Sequence, residues 1–144
     1  NEVLLKDKGI IITKENKKII ILLYNCEHFS NLYASGDYFE LSQHNRYVPF
    51  AENKNILFNI SIDNILYDSY EIKETTLGKN SGSIYDCCEE CGISGIPDSD
   101  TTLQLKSLST PKFKLSSGNI SNNKLHISSI VEALEIKLIE IKLK

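Results

Sequence analysis

The stretch Ile10-Ile11-Ile12-Thr13-Lys14-Glu15-Asn16-Lys17-Lys18-Ile19-Ile20-Ile21-Leu22-Leu23-Tyr24 decides the fold class. Two runs rich in β-branched residues, 9–13 and 18–24, flank the polar turn 14–17. This pattern predicts a β-hairpin. Because both runs are apolar at consecutive positions, we expect their strands to be covered on both faces.

Further short strands are predicted along the chain. Apolar residues alternate with more polar ones over residues 56–62, as in a strand with one buried face. Residues 3–5, 70–77, 113–115, 125–127 and 134–143 also have strand character. In the last segment, Ile136 and Leu138 alternate out of phase with Ile139, Ile141 and Leu143, which predicts a β-bulge between the two sets. So many short strands predict an all-β fold, a β-sandwich.

Two short helices are predicted before the last strands. Residues 83–91 form the first, and Gly92 ends it. Asp98 or Ser99 caps the second, which places Leu105 and Leu108 on one face. With 144 residues and no linker or repeat, the chain is predicted to be a single domain spanning residues 1–144.

Composition excludes several classes of function. The net charge is −3 and lysines are interleaved with acids, so we expect no direct nucleic-acid binding. The apolar runs are too short to span a bilayer, so we expect no membrane insertion. The sequence contains no methionine, and its first residues lead directly into a strand, so we expect a fragment of a longer protein.

No pattern in the chain predicts catalysis. A nucleophile elbow, a phosphate-binding loop and a distinctive pair of carboxylates are all missing from the sequence, so no catalytic residue and no cofactor are predicted. Cys87, Cys88 and Cys91 include a Cys-x-x-Cys pair, but the second ligand pair of a structural zinc site is missing. We therefore expect reduced thiols that pack as small apolar groups, no metal, and a cytoplasmic location.

Sugar binding is the alternative that the residues leave open. Tyr33, Tyr38 and Tyr47 lie in the most polar third of the chain, near His44. Aromatic platforms with a few polar groups are typical of small-ligand sites. These four residues are the candidate sugar-binding set. The other interpretation is that the tyrosines pack loops onto the sandwich while their hydroxyls stay in water.

A motif in the second half of the chain carries a family resemblance. Gly82-Ser83-Ile84-Tyr85-Asp86 is followed by Cys91-Gly92, Pro97 and the segment 105–111, which ends in Ser109-Thr110-Pro111. This order resembles the C-terminal accessory region of glycoside hydrolase family 39 (GH39), the β-xylosidase group. The resemblance implies a β-sandwich that packs beside a (β/α)₈ barrel and holds none of the family's catalytic glutamates. The chain departs from the family at residues 78–81, where it has Gly-Lys-Asn-Ser.

The first half of the chain narrows the resemblance. The segments 23–33 and 45–50 are similar to parts of bacterial transcriptional regulators of the AraC type that carry a GH39-like portion. This implies a non-catalytic C-terminal accessory domain of such a regulator, whose partner is the neighbouring barrel domain of the same polypeptide. The alternatives are the accessory domain of a β-xylosidase, or a carbohydrate-binding module that senses xylose-type sugars. A homo-oligomer is left open.

Overall fold

A computed structural model describes residues 2–26, 28–36, 47–50 and 54–144. The described residues form eight strands and three helices. The strands are β1 Glu2–Asp7, β2 Ile10–Glu15, β3 Lys18–Tyr24, β4 Ile56–Ile62, β5 Ser69–Leu77, β6 Lys112–Asn119, β7 Leu125–Val131 and β8 Ile136–Leu143. The helices are α1 Asn31–Ala34, α2 Ile84–Glu90 and α3 Ser99–Leu108. The predicted all-β sandwich is confirmed, and α1 is an element that the sequence pattern did not predict.

Six of the strands form one antiparallel sheet in the order β1-β2-β3-β8-β5-β6. The predicted β2–β3 hairpin is confirmed, with Ile10 opposite Leu23 and Glu15 opposite Lys18. Its turn is shorter than predicted, because only Asn16 and Lys17 lie outside the strands. Asn16 has a φ of 51°, a left-handed conformation that asparagine tolerates in tight hairpin turns.

The last strand, β8, lies in the middle of the large sheet. It pairs with β3 on one side and β5 on the other without a break in register from Ile136 to Leu143. The predicted bulge in this segment is therefore wrong: Ile136 and Leu138 point to one face of the sheet, and Ile139 and Ile141 to the other. The register shift lies instead in β1, between Val3 and Leu5.

The core lies between the large sheet and a second sheet of β4 and β7. Alternate residues of β3 and β8 are fully buried on the inner face, among them Ile19, Ile21 and Ile139. The small sheet covers them with alternate residues of its own. These are Ile60, Leu125, Ile127 and Val131. Burial of aliphatic side chains between two sheets is the main source of stability in such a sandwich.

The opposite surface of the large sheet, called the outer face below, is only partly covered. Directly paired residues share a face, so one row across β2, β3, β8, β5 and β6 consists of Ile11, Leu22, Leu138, Thr75 and Phe113. Ile11, Leu22 and Leu138 are half-buried, and Phe113 is exposed. Both faces of β2 and β3 were expected to be covered. Among the described residues, their inner face is buried and their outer face is only partly covered.

Both predicted helices are confirmed within the connection between β5 and β6. Ser83 caps α2 by accepting a hydrogen bond from the backbone N–H of Asp86, and Gly92 follows the helix with a φ of 69°. Asp98 caps α3 in the same way through the N–H of Thr101. Leu105 is buried, whereas Leu108, which was predicted to share its face of the helix, is exposed. None of the helices in the described parts of the chain is long and apolar enough to span a bilayer.

Candidate functional site

The candidate site lies between the end of β3 and the start of β4, next to α2. A buried asparagine, Asn25, lies at the end of β3 and connects it to two other segments. The Asn25 side-chain amide donates to the carbonyl oxygens of Lys54 at 2.7 Å and Val131 at 3.3 Å. A buried amide needs such partners, because leaving it unsatisfied costs about 1–3 kcal/mol. Asn25 thereby joins the end of β3 to the segment before β4 and to the end of β7.

An aromatic cluster forms the first part of the site. Ser30 caps α1 by accepting a hydrogen bond from the backbone N–H of Tyr33. The Tyr33 ring contacts the Phe29 ring, with 4.8 Å between the ring centres and 39° between the ring planes. Phe29 also stacks on Phe50 at 5.3 Å with 25° between the ring planes. Phe29 is 52% exposed. The cluster is therefore an aromatic surface with one open side, the kind of surface that can stack against an apolar ligand face.

Tyr47 forms the second part of the site, and its contacts are different. Its hydroxyl lies 3.0 Å and 2.9 Å from the two carboxylate oxygens of Asp86, to which it donates. The ammonium group of Lys79 lies 4.5 Å from the centre of the Tyr47 ring, a cation–π contact. The ring of Tyr85 is nearly perpendicular to the Tyr47 ring, with 6.2 Å between the two ring centres. Tyr47 thus contacts three residues of the connection between β5 and β6, namely Lys79, Tyr85 and Asp86.

The local sequence explains why Asp86 meets Tyr47. Gly82 has a φ of 82°, and a Cβ there would lie 2.6 Å from Leu77 Cδ1 and 3.0 Å from Pro111 Cγ. Only glycine fits this turn. Ser83 then starts α2 and places Asp86 in its first turn, where a carboxylate is favourable next to the free N–H groups. The Gly-Ser-Ile-Tyr-Asp motif therefore has a structural role in this chain: it anchors Tyr47.

A small cavity lies beside this anchor. It has a volume of about 250 Å³ and is lined by Lys79, Asn80, Asp86, Glu90 and Lys112, with the thiols of Cys87 and Cys91 nearby. Positively charged lysines and negatively charged carboxylates both line it, so neither sign of charge dominates its polar surface. Ser81, also in the lining, uses its hydroxyl to hold the backbone, donating to the Thr76 carbonyl and accepting from the Lys112 N–H.

The structure separates the two described members of the predicted sugar-binding set. Tyr33 contacts Phe29, and Tyr47 contacts Asp86, Lys79 and Tyr85. Tyr38 and His44 lie outside the described residues, so the four-residue grouping stays a prediction. Two aromatic residues that join Tyr33 were missed. Phe29 lies before the N-cap of α1 and pairs through its backbone with Phe50, so no helical spacing marks either contact.

The cysteines are free in the described residues, with Cys87 and Cys88 half-buried and Cys26 and Cys91 exposed. Burial raises the pKa of the Cys87 thiol, and the nearby Glu90 raises it further. A raised pKa lowers the thiolate fraction at neutral pH and so lowers reactivity. No group of three or more His, Cys, Asp or Glu within the described ranges is placed to hold a metal ion.

Three carboxyl groups of the described chain have clearly shifted pKa values, and all three are lowered. Hydrogen bonds from Lys144 and Lys18 lower the pKa of Glu71 and Glu140, and the backbone N–H of Thr101 lowers the pKa of Asp98. Glu71 and Glu140 line a groove of about 890 Å³ on the outer face. A glycosidase acid needs the opposite, a carboxyl group whose pKa is raised so that it stays protonated.

Comparison with known proteins gives the fold a context. No protein-family model matches the chain, and no curated protein matches its sequence. A monomeric β-xylosidase from Caulobacter crescentus CB15 has a similar structure, with a TM-score of 0.68 and 12% sequence identity over 96% of this chain and 27% of that chain. A GH39 enzyme from Xanthomonas axonopodis pv. citri has a TM-score of 0.67 and 8% identity over 96% of this chain and 26% of that one.

A third similar structure is a bacterial orthologue of human α-L-iduronidase, with a TM-score of 0.62 and 9% identity over 94% of this chain and 22% of that one. The chain therefore spans about a quarter of the length of these neighbours. At such identities the likeness establishes the fold. The chain has the fold of a part of GH39 enzymes, as the motif at residues 82–111 predicted.

Proposed function

We propose that the chain is a non-catalytic accessory domain, the C-terminal part of a GH39-like protein, and that it packs against a neighbouring barrel domain of the same polypeptide. One observation carries the proposal. The fold matches over 96% of this chain but over 27% of the β-xylosidase chain, so in that enzyme it is one part beside a much larger remainder.

Two features of the described residues support an accessory role. The outer face exposes Phe113 and Leu115 at 63% and 67%, beside the half-buried Leu22 and Leu138. Exposed apolar surface of this kind is typical of an interface. The lowered pKa values of Glu71 and Glu140 keep both groups ionised at neutral pH, which does not suit a catalytic acid.

For the parent protein we propose a bacterial regulator of the AraC type, with a β-xylosidase as the alternative. The support is the resemblance of segments 23–33 and 45–50, and a cytoplasmic location follows from a regulator as parent. The proposed accessory role is the same for either parent. Extending the reading frame upstream separates them: a helix-turn-helix indicates the regulator, and a pair of barrel glutamates indicates the hydrolase.

The direct test is hydrolysis of an aryl β-xyloside by the purified chain. We expect the rate of the uncatalysed reaction, with a β-xylosidase as the positive control. Turnover that a single Glu→Gln or Asp→Asn substitution abolishes would refute the proposal. A trace activity that copurifies but survives every such substitution belongs to a contaminant and leaves the expected result in place.

A second candidate function is favoured by the open aromatic cluster of Phe29, Tyr33 and Phe50. In this case the chain binds xylose-type sugars by stacking a ring against Phe29. The test is a titration of the labelled chain with xylose, arabinose and xylo-oligosaccharides, followed by amide chemical shifts. Saturable shifts at residues 29–33 that Phe29→Ala abolishes, and that Tyr47→Phe retains, would support binding at this cluster. Unchanged spectra at millimolar sugar would exclude it.

A further inference from the structure

The C-terminal turn of α2 carries three cysteines, and two of them face the same space. Cys87 and Cys91 both line the cavity of about 250 Å³ beside the contact between Tyr47 and Asp86. The backbone N–H of Cys91 donates to the Cys87 carbonyl oxygen at 3.0 Å, so the two residues are one helical turn apart. Residues four apart in a helix lie on one face. The two thiols are therefore neighbours at the edge of one cavity.

Cys88 has a different position. It follows Cys87 by one residue, which turns its side chain by about 100° around the helix axis. It is not among the described residues that line the cavity. Helix spacing alone permits either pairing with Cys91, because Cα atoms three and four residues apart are about 5 Å and about 6 Å from each other, inside the range of about 4.4–6.8 Å for disulfides. The shared cavity selects Cys87 as the partner of Cys91.

The end of α2 is free to adapt to such a bond. A disulfide needs Cβ atoms about 3.8 Å apart, whereas those on neighbouring helical turns are about 5–6 Å apart, so the turn must tighten by about 1–2 Å. None of the seven residues of α2 is buried. Gly92 follows Cys91 with a φ of 69°, and no atom of the described residues lies within 4 Å of the place that a Cβ would take there. The turn can therefore tighten without disturbing the core.

The turn that tightens begins next to Asp86. Asp86 directly precedes Cys87, and its two carboxylate oxygens lie 3.0 Å and 2.9 Å from the Tyr47 hydroxyl. Hydrogen bonds weaken steeply as their angle departs from linear. A change in the backbone at Cys87 redirects the Asp86 carboxylate and so weakens this bond.

We propose that Cys87 and Cys91 form a reversible oxidation site, in which a hydroperoxide joins their sulfur atoms in a disulfide and the tightened turn loosens the contact between Asp86 and Tyr47. The structure shows the reduced form, with free thiols. In a reducing compartment the disulfide is transient, because small thiols return it to two thiols. The proposal concerns a modification of α2 and does not depend on the accessory role.

Exposure sets the order of the two steps. Cys91 is exposed, whereas Cys87 is half-buried and its thiol has a raised pKa, so Cys91 reacts first. The Cys91 thiolate attacks the hydroperoxide: an S–O bond forms, the O–O bond breaks, and the leaving alkoxide takes up a proton to give an alcohol. The Cys87 sulfur then attacks the sulfenic sulfur: the S–S bond forms, the S–O bond breaks, and hydroxide leaves with the Cys87 proton as water. Two thiols are oxidised and one hydroperoxide is reduced to alcohol and water.

The test maps the disulfide in the purified chain. Exposed Cys26 is replaced by serine so that it cannot link two molecules, and the chain is treated with hydrogen peroxide. Remaining thiols are alkylated, and cleavage after glutamate separates Cys87 and Cys88 from Cys91. We expect a product that is lighter by two hydrogen atoms before alkylation. Its two fragments should stay joined until a reductant such as dithiothreitol is added.

Serine variants identify the pair. Cys87→Ser should lower the yield of intramolecular disulfide about tenfold or more, whereas Cys88→Ser, the matched control, should leave it unchanged. Both variants should fold, because neither side chain is fully buried, and circular dichroism checks this. The proposal is overturned if Cys87→Ser keeps the disulfide. It is also overturned if Cys88→Ser loses it, or if Cys91 proceeds to a sulfinic acid and no disulfide forms.

The effect on Tyr47 has its own measurement. The backbone N–H of Phe50 donates to the Tyr47 carbonyl oxygen at 3.2 Å, so amide exchange at Phe50 follows the Tyr47 segment without lying in α2. Oxidation should speed up this exchange about threefold or more. In Tyr47→Phe the reduced chain should already exchange faster, and oxidation should add nothing. Unchanged exchange on oxidation, or an equal increase in Tyr47→Phe, would overturn the effect of the disulfide on Tyr47.

Discussion

The six-stranded sheet and the helical connection between β5 and β6 are stabilised by different means. The sheet has a continuous inner face of buried aliphatic side chains, including Ile19, Ile21 and Ile139. In α2 and α3 the buried hydrophobic residue is Leu105, and the connection depends on helix caps, the turn at Gly82 and the bond between Tyr47 and Asp86. Defects in the sheet should therefore unfold the domain, whereas defects in the connection should open it locally.

The largest expected effect comes from truncating the inner face. Ile139→Ala removes a fully buried side chain between β3 and β5 and should lower the free energy of unfolding by about 2–5 kcal/mol. Leu115→Ala on the outer face, 67% exposed, should change it by less than about 0.5 kcal/mol. Urea unfolding followed by circular dichroism measures both. Equal losses would mean that the outer face is covered in solution.

Next in size is Gly82→Ala, at the start of the connection. The new Cβ would meet Leu77, which can rotate away, and the Pro111 ring, which cannot, in a left-handed conformation. We expect a loss of about 2–3 kcal/mol, about 1–2 of it from the backbone conformation alone. Gly92→Ala is the control, because its Cβ would point into open space. A similar loss at Gly92 would show that packing at Gly82 contributes nothing.

The sheet could be predicted from local sequence because its strands carry repeated apolar residues. The predicted bulge in β8 was wrong for a physical reason. Ile136 and Leu138 lie on an outer face that is itself partly apolar, whereas Ile139 lies on the inner face. A regular strand with apolar residues on both faces has the same sequence pattern as a strand with a bulge. The two helices of the connection were predictable from Ser83, Asp98 and Gly92, since capping residues act within one turn.

The candidate site was predictable only in part. The tyrosines were identified by composition, but α1 pairs Tyr33 with Phe29, whereas Tyr47 is held by a residue 39 positions away. Contacts at that separation depend on how the connection folds back, and no local pattern encodes them. The motif at residues 82–86 was recognised in the sequence as a turn and helix start. Its contact with Tyr47 could be seen only in the structure.

A smaller effect is expected from breaking that anchor. Tyr47→Phe removes the hydroxyl that donates to Asp86 and should cost about 1 kcal/mol. The loss should be local, so amide exchange in α2 should speed up more than exchange in β8. Tyr33→Phe is the matched control, because the described contact of Tyr33 is made by its ring. Uniform acceleration across the sheet would mean that the connection and the sheet unfold as one unit.

The smallest expected effect lies at the charged end of the outer face, where Lys18 donates to Glu140 at 2.7 Å. This bond lowers the pKa of Glu140 below its usual 4.5, and Lys73 adds a weaker attraction. Because the pair is exposed to solvent, Glu140→Gln should cost at most about 0.5 kcal/mol at pH 7.

The pH dependence of this pair has a definite sign. The folded-state pKa of Glu140 lies below the unfolded one, so the pair stabilises the fold above the unfolded value near 4.5. Its contribution fades as the pH falls through the lowered folded-state pKa. The difference in unfolding free energy between the chain and Glu140→Gln should therefore be constant from pH 6 to 8 and vanish in acid. A Lys18→Met background should remove it at every pH, and a difference that persists there would assign the effect to Lys73 instead.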